Sequence, residues 1–200
     1  IIEMLETLLN AILETGRIPQ NMNTATICLI AKDKTKTADP SAYRPISLMN
    51  ATLKILDKYL TNQLSAHIQD QKVLSEEQAG FRHNLSCLHH ILTFEQVVQI
   101  TNMSHTPVHA VFIDLQKAFD SIDRRQLLAM MEEMEFPAQT RTLTKMMYTT
   151  EASSLNLNHT FQPAWTVNKG LRQGAALSPL LFNLFPEMLI RQTQGINAGI

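Results

Sequence analysis

Asp114 stands at the end of an almost unbroken apolar run, Val108 to Ile113, and Asp120 follows directly behind Phe119. A carboxylate delivered by a buried strand is not left idle, because burying an unpaired charge is costly. It can ligate a metal, act as a general base or cap a turn, and its neighbours leave all three open. A second candidate is Lys169–Asn183, KGLRQGAALSPLLFN, where Gly170 and Gly174 bracket Leu171-Arg172-Gln173. Glycines allow close backbone approach or positive φ, and Ser178-Pro179 open a helix behind them. Such a loop either meets phosphate oxygens near a helix N-terminus or is an ordinary turn. The third is a basic excess of Lys32, Lys34, Lys36, Arg44, Lys54 and Lys58 over Asp33, Asp39 and Asp57. It faces phosphates or is solvated surface.

Other chemistries find little support. His89 and His90 are adjacent, so on a helix they point apart, and His105 and His109 flank a proline. No zinc-protease helix, nucleophile elbow or Walker loop is present. Met130, Met131 and Met134 have core spacing and fill space rather than bind a cofactor.

The elements that must position these residues follow from periodicity. Ile2, Leu5, Leu8, Leu9, Ile12 and Leu13 predict a first helix stopped by Gly16. Ala25–Ala31 reads as a buried strand and Tyr43–Leu48 as an extended link, since Arg44 precedes a proline. Asn50 caps a long helix with Leu53, Leu56, Leu60, Leu64 and Ile68 as its stripe. Ser75–Asn84 is a loop, and Ser86 caps a helix with Leu88, Ile91, Leu92, Phe94 and Val98 as its apolar set. Pro107 then opens the strand that ends at Asp114; its continuous apolar character predicts cover on both faces. Asp123 and Gln126 resemble a capping box for a helix with Leu127, Leu128, Met131 and Met134 inward. Pro137 suits the first turn of the next helix. Residues 153–168 predict a hairpin turning at Asn158-His159, before a last helix from about Leu180 to Gln192.

No regular βαβ rhythm emerges, so the class is α+β. The chain has 200 residues, 44% of them hydrophobic and 18% charged, which is globular composition. A net charge of −1 gives no help to a nucleic-acid reading. Cys28 and Cys87 lack metal or redox spacing and fit a reducing, intracellular compartment, cytoplasm or nucleus. No stretch approaches a membrane span. The chain opens at Ile1 without methionine and stops at Ile200 in mid-pattern, which reads as a piece of something longer.

Taken together, Leu29–Lys32, Tyr43-Arg44-Pro45-Ile46-Ser47-Leu48, Gln78-Ala79-Gly80-Phe81-Arg82, Val111–Asp120 and Gly170–Gly174 with Leu177–Asn183 form an ordered set. In order and spacing it resembles the reverse transcriptases of non-LTR (LINE-type) retrotransposons. The resemblance implies a right-hand polymerase: reverse-transcriptase-like fingers plus an incomplete palm with an antiparallel sheet packed by helices. Residues 1–106 would be mainly fingers and 107–123 the palm strand and catalytic turn. Residues 124–174 would return to the fingers, and 175–200 begin a truncated palm helix region.

The resemblance also assigns roles. Asp114, with the backbone carbonyl of Leu115, would hold Mg²⁺, two ions serving the complete enzyme in activating a primer 3′-hydroxyl and stabilising pyrophosphate. Phe119 matches the position that checks the sugar 2′ carbon. Gln173 and Gly174 match a nucleotide-contacting pair, and Lys32 and Arg44 the basic residues that grip a triphosphate. Gly80, Phe81 and Arg82 would lie along the template path, while Asp120 closes a turn and Asp123 caps a helix. The implied partners are an RNA template, a DNA primer, deoxynucleoside triphosphates and the rest of a polyprotein. That remainder would supply more palm, a thumb and, in some arrangements, an endonuclease.

Departures matter too. Ala31 and Arg172 stand where relatives often carry proline. The aromatic-Ala-Asp-Asp turn that would complete the metal site is absent from these residues, so the isolated chain is expected to be inactive. The rival readings are a decayed or repurposed copy that only binds RNA or protein, and a maturase- or telomerase-like polymerase. The wording of Tyr43–Leu48 and Gly174–Asn183 fits the LINE type better than the latter.

Overall fold

The long helix α2 (Ala51–Asp70) carries the apolar stripe around which the helices pack. Leu53, Leu56, Leu60, Leu64 and Ile68 are all buried, and Asn50 Oδ1 accepts from the Thr52 N–H at 2.8 Å, satisfying a donor the first turn would otherwise orphan. The computed structural model describes residues 1–33, 35, 38–157 and 160–193. Before α2 come α1 (Ile2–Thr15), β1 (Thr24–Ala31) and β2 (Tyr43–Leu48). After it come α3 (Cys87–Met103), the short α4 (Ala118–Ser121), α5 (Arg124–Glu133), α6 (Ala138–Thr149), β3 (Ala152–Leu157), β4 (Thr160–Phe161), β5 (Trp165–Thr166) and α7 (Leu177–Thr193). Leu143 and Met147 of α6 and Leu177, Leu181 and Leu184 of α7 pack with α2, and Leu127 and Met131 of α5 join them in one hydrophobic cluster. At about 25 cal/mol per Å² of apolar surface removed from water, this cluster is the main source of stability. No helix among the described residues is long and apolar enough to cross a membrane.

The sheet corrects the expectation of an antiparallel one. Its order is β2-β1-β3-β4, with β5 also on β3. β1 and β2 pair antiparallel from Thr26↔Leu48 to Ala31↔Tyr43, but β1 and β3 run parallel from Thr24↔Ala152 to Ile27↔Leu155. Parallel neighbours need a long crossover, and the helices between β2 and β3 supply it. The sheet is therefore mixed. The extended Tyr43–Leu48 link is itself a strand, and β3–β4 forms the hairpin, with Asn158 and His159 outside the described residues, as are Lys34 and Lys36 of the basic cluster.

Two further expectations fail. Val108–Ile113 joins no strand ladder among the described residues, and Val111 is 84% and Phe112 83% exposed. Composition favours extended backbone there, but a strand exists only against a partner's N–H and C=O groups. Helix α3 forms as expected from Ser86 but buries no residue. Its stripe instead faces the same open side as the Val108–Ile113 run, with Phe94 edge-on to Phe112 at 5.7 Å between ring centroids.

Candidate functional site

The loop from Lys169 to Gly174 is fixed from beneath by buried charges. Arg124, in the first turn of α5, donates from Nε to the Gly170 carbonyl at 2.8 Å. Its other nitrogens reach the Tyr148 and Val167 carbonyls and a carboxylate oxygen of Glu151. Glu151 also lies 3.0 Å from Arg172 Nε, as an ion pair without hydrogen-bond alignment. Arg172 Nη2 donates to Asn23 Oδ1 at 2.8 Å. Asn23 in turn donates to the Met146 and Met147 carbonyls in the last turn of α6. Arg124, Glu151 and Arg172 are all nearly inaccessible. Glu151 supplies the counter-charge to both guanidinium groups, and main-chain carbonyls and Asn23 take further N–H groups.

Tyr148 lies under both guanidinium groups, with its hydroxyl 3.0 Å from Ser178 Oγ. Burial, partly offset by the Ser178 hydrogen bond, pushes its phenol up to about 12. Asp57 of α2 accepts from the Ala176 and Leu177 N–H groups, capping α7 from a neighbouring helix. Burial raises its carboxyl above the usual range, and those two N–H groups oppose the rise.

Above this base, the loop is zipped to the turn that follows Asp114. Gly170 N–H donates to Ile122 O and Leu171 N–H to Phe119 O, both at 2.9 Å. Gly170 has φ +82°, and a Cβ there would meet Asp120 Cα at 3.0 Å. On the other side the Ser47 N–H of β2 donates to the Gln173 carbonyl at 2.8 Å. Gly174, at φ +110°, sits where a Cβ would be 3.3 Å from Ser47 O. Only glycine is comfortable at both.

The result is a cleft of about 410 Å³ lined by Lys32, Arg44, Lys117, Phe119, Gln173 and Gly174, together with Asp120 and the N-terminal end of α7. Three segments far apart in sequence meet here: the end of β1 with β2, the 117–120 turn, and the glycine-bracketed loop. Lys32 Nζ reaches the Ser41 carbonyl at 3.1 Å. The Phe119 ring is half-buried, stacked on Phe182 at 5.1 Å and edge-on to Phe81 at 6.4 Å. Lysine and arginine around an aromatic plate and a carboxamide suit an anionic ligand carrying a ring or sugar.

Five residues singled out in the sequence thus share one cleft. Asp114 and Leu115 do not line it; both are exposed on the unpaired segment leading into the turn. Gly80, Phe81 and Arg82 also lie off it. Arg82 donates to the Ser75 and Gln78 carbonyls, and Asn183 Nδ2 to the Gly80 carbonyl, so this loop braces itself against α7. Among the described residues no group of three or more His, Cys, Asp or Glu side chains could hold a metal ion. Asp114 offers one hard-oxygen arm. That fits one ligand of a Mg²⁺ ion completed by other carboxylates and substrate phosphates, and falls short of a cage.

Sequence reasoning missed Lys117, whose φ of 48° carries the chain into the turn at the mouth of the cleft. Its place inside the Asp114–Asp120 block was the available signal. Arg172, read as a departure, is a buried strut, and Arg124 and Glu151 carried no signal at all.

The family described as reverse transcriptase (RNA-dependent DNA polymerase) matches residues 30–198. A probable RNA-directed DNA polymerase from transposon BS of Drosophila melanogaster is 29% identical over 88% of this chain and 19% of its own length. The retrovirus-related Pol polyprotein from type-1 retrotransposable element R2 of Nasonia vitripennis is 26% identical over 95% of this chain and 18% of its own. The RNA-directed DNA polymerase from mobile element jockey of Drosophila melanogaster is 27% identical over 92% and 20% respectively. The chain spans about a fifth of the length of these relatives.

Proposed function

The chain belongs to the reverse transcriptase family, in its non-LTR, LINE-type retrotransposon branch, and from that premise we propose that its cleft receives an incoming deoxynucleoside triphosphate during RNA-directed DNA synthesis. One observation carries this reading: Lys32, Arg44, Phe119, Gln173 and Gly174 line a single cleft although they come from three separate segments. In the complete polypeptide a primer 3′-oxygen attacks the α-phosphorus, one P–O bond forms, and the bond to pyrophosphate breaks. Arg44 binds phosphate oxygens through its fork and Lys32 as a point charge, with Lys117 adding a third cation. Phe119 sets its ring against the sugar and excludes a 2′-hydroxyl by bulk.

Asp114 and the Leu115 carbonyl are the arm for Mg²⁺. When bound, the metal lowers the pKa of the attacking hydroxyl and neutralises charge on the leaving group. Residues 1–106 with 124–174 form the fingers, and 107–123 with 175–200 the palm side. The partners are an RNA template running past Gly80, Phe81 and Arg82, a DNA primer, and the remainder of a longer polyprotein.

The test is binding of a fluorescent deoxynucleoside triphosphate to the chain. Arg44→Ala and Lys32→Ala should each weaken it about tenfold or more, the worth of a charge-assisted hydrogen bond. Phe119→Val should narrow the preference for deoxy- over ribonucleotide. If neither cationic variant moves the affinity, the cleft does not hold the triphosphate. In the full polyprotein, Asp114→Asn should abolish primer extension while leaving nucleotide binding measurable.

A further inference from the structure

Asp120 is the single carboxylate among the residues lining the cleft. A negative charge there opposes an anionic ligand. A residue that only closed a turn could be asparagine or serine without that penalty. The geometry gives the carboxylate another task. Gln173 Nε2 donates to Asp120 Oδ1 at 2.9 Å. Both backbones are already fixed: Asp120 by the packing of Gly170 against its Cα, Gln173 by its carbonyl on the Ser47 N–H. The side-chain contact removes the remaining freedom, rotation of the carboxamide.

A carboxylate only accepts hydrogen bonds, whereas a carboxamide has a donating and an accepting end. Asp120 therefore selects one of the two flips of Gln173, with nitrogen toward the turn and the oxygen and second N–H left for the cleft. We propose that Asp120 is a positioning residue that fixes the orientation of the Gln173 carboxamide against the incoming nucleotide. This rests on the reading of the cleft as a triphosphate site. It gives the turn after Asp114 a direct grip on the glycine-bracketed loop.

The experiment compares Asp120→Ala, Asp120→Asn and Gln173→Ala in the 200-residue chain, with Asp120→Ala/Gln173→Ala as the double variant. Asn removes the charge and, with both a donating and an accepting end, can pair with either flip of Gln173; Ala removes the contact altogether. Positioning predicts that Ala weakens fluorescent deoxynucleotide binding about tenfold, as Gln173→Ala does, while Asn, which keeps the contact without selecting the flip, falls between Ala and wild type. The double variant should bind no worse than Gln173→Ala, since the two residues act as a unit. If Ala and Asn both tighten binding, Asp120 is only a repulsive charge and the inference is overturned.

A second readout needs no nucleotide. The Gln173 side-chain NH₂ signals, identified by their loss in Gln173→Ala, should be shifted from free values in wild type and Asn, and collapse to them in Ala. Unshifted signals in wild type overturn the positioning role. Absence of nucleotide binding by wild type with those signals shifted overturns the cleft assignment instead. Asp120 is exposed, and thermal unfolding of each variant is compared; Asn serves where Ala lowers it.

Discussion

The loop at 169–174 and the segment at 107–115 flank the same turn, yet they are held in different ways. The loop is tied down by backbone hydrogen bonds to Phe119, Ile122 and Ser47 and by Arg124 on the Gly170 carbonyl. Beneath it, Arg124, Glu151, Arg172 and Asn23 form a network in which each charge has a partner. The segment carrying Asp114 has apolar side chains in water and no ladder among the described residues. The wall proposed to face the nucleotide is thus organised before any ligand arrives, which lowers the ordering cost of binding. The arm proposed to bind metal is not; a run of such composition becomes rigid only when another strand pairs with it. On the proposed reading, positioning of the nucleotide and positioning of the metal are separable.

The largest effect should come from breaking the base of the wall. Glu151 is 2% exposed and faces two guanidinium groups. Glu151→Ala leaves both buried without a counter-charge and should cost about 3–5 kcal/mol. In urea denaturation that is a large fraction of a domain's whole stability. A loss below about 1 kcal/mol would mean that water already shares these charges, and the contrast between the two regions would weaken.

These same residues show where the sequence stops being readable. The stripe of α2, the cap at Asn50 and the stop at Gly16 are local patterns, and each formed as its spacing implies. The cleft was legible through Lys32, Arg44, Phe119, Gln173 and Gly174, because a resemblance between ordered blocks carries tertiary information that periodicity lacks. Arg124, Glu151 and Asp57 look like ordinary surface charges in sequence, since burial is decided by what folds over them. The stripe of α3 and the run Val108–Ile113 fail for the converse reason. Apolar spacing announces that a face can be covered, and says nothing of whether a neighbour lies there. The parallel β1–β3 pairing was equally hidden, being set by a crossover of more than a hundred residues.

A smaller perturbation separates the loop from its base. Gly170→Ala would place a Cβ 3.0 Å from Asp120 Cα and 3.1 Å from the Phe119 and Asp120 carbonyl oxygens, at φ +82°. The expected loss is about 1–3 kcal/mol, accompanied by weaker nucleotide binding because the turn and loop must separate. Gly80→Ala is the internal control. Its nearest contacts for a Cβ are 3.8 and 3.9 Å away, so it should be almost silent in the same thermal melts. Equal effects at the two glycines would show that the zipper between turn and loop contributes nothing special.

The smallest effect is expected on the segment that carries Asp114, and it is the most informative about the comparison. Val111 is 84% exposed, so Val111→Ser removes little that folding had buried and should change stability by no more than about 0.5 kcal/mol. Leu143, fully buried in α6, gives the contrast, with Leu143→Ala costing about 2–5 kcal/mol. Amide hydrogen exchange reads the same difference without mutation. The N–H groups from Val108 to Leu115 should exchange with little protection, while those of α2, α6 and α7 approach the protection of global unfolding. Slow exchange at Phe112 and Ile113 would mean that a partner strand already pairs with this segment. Asp114 would then be as firmly held as Gln173, and the two halves of the site would be organised together rather than in turn.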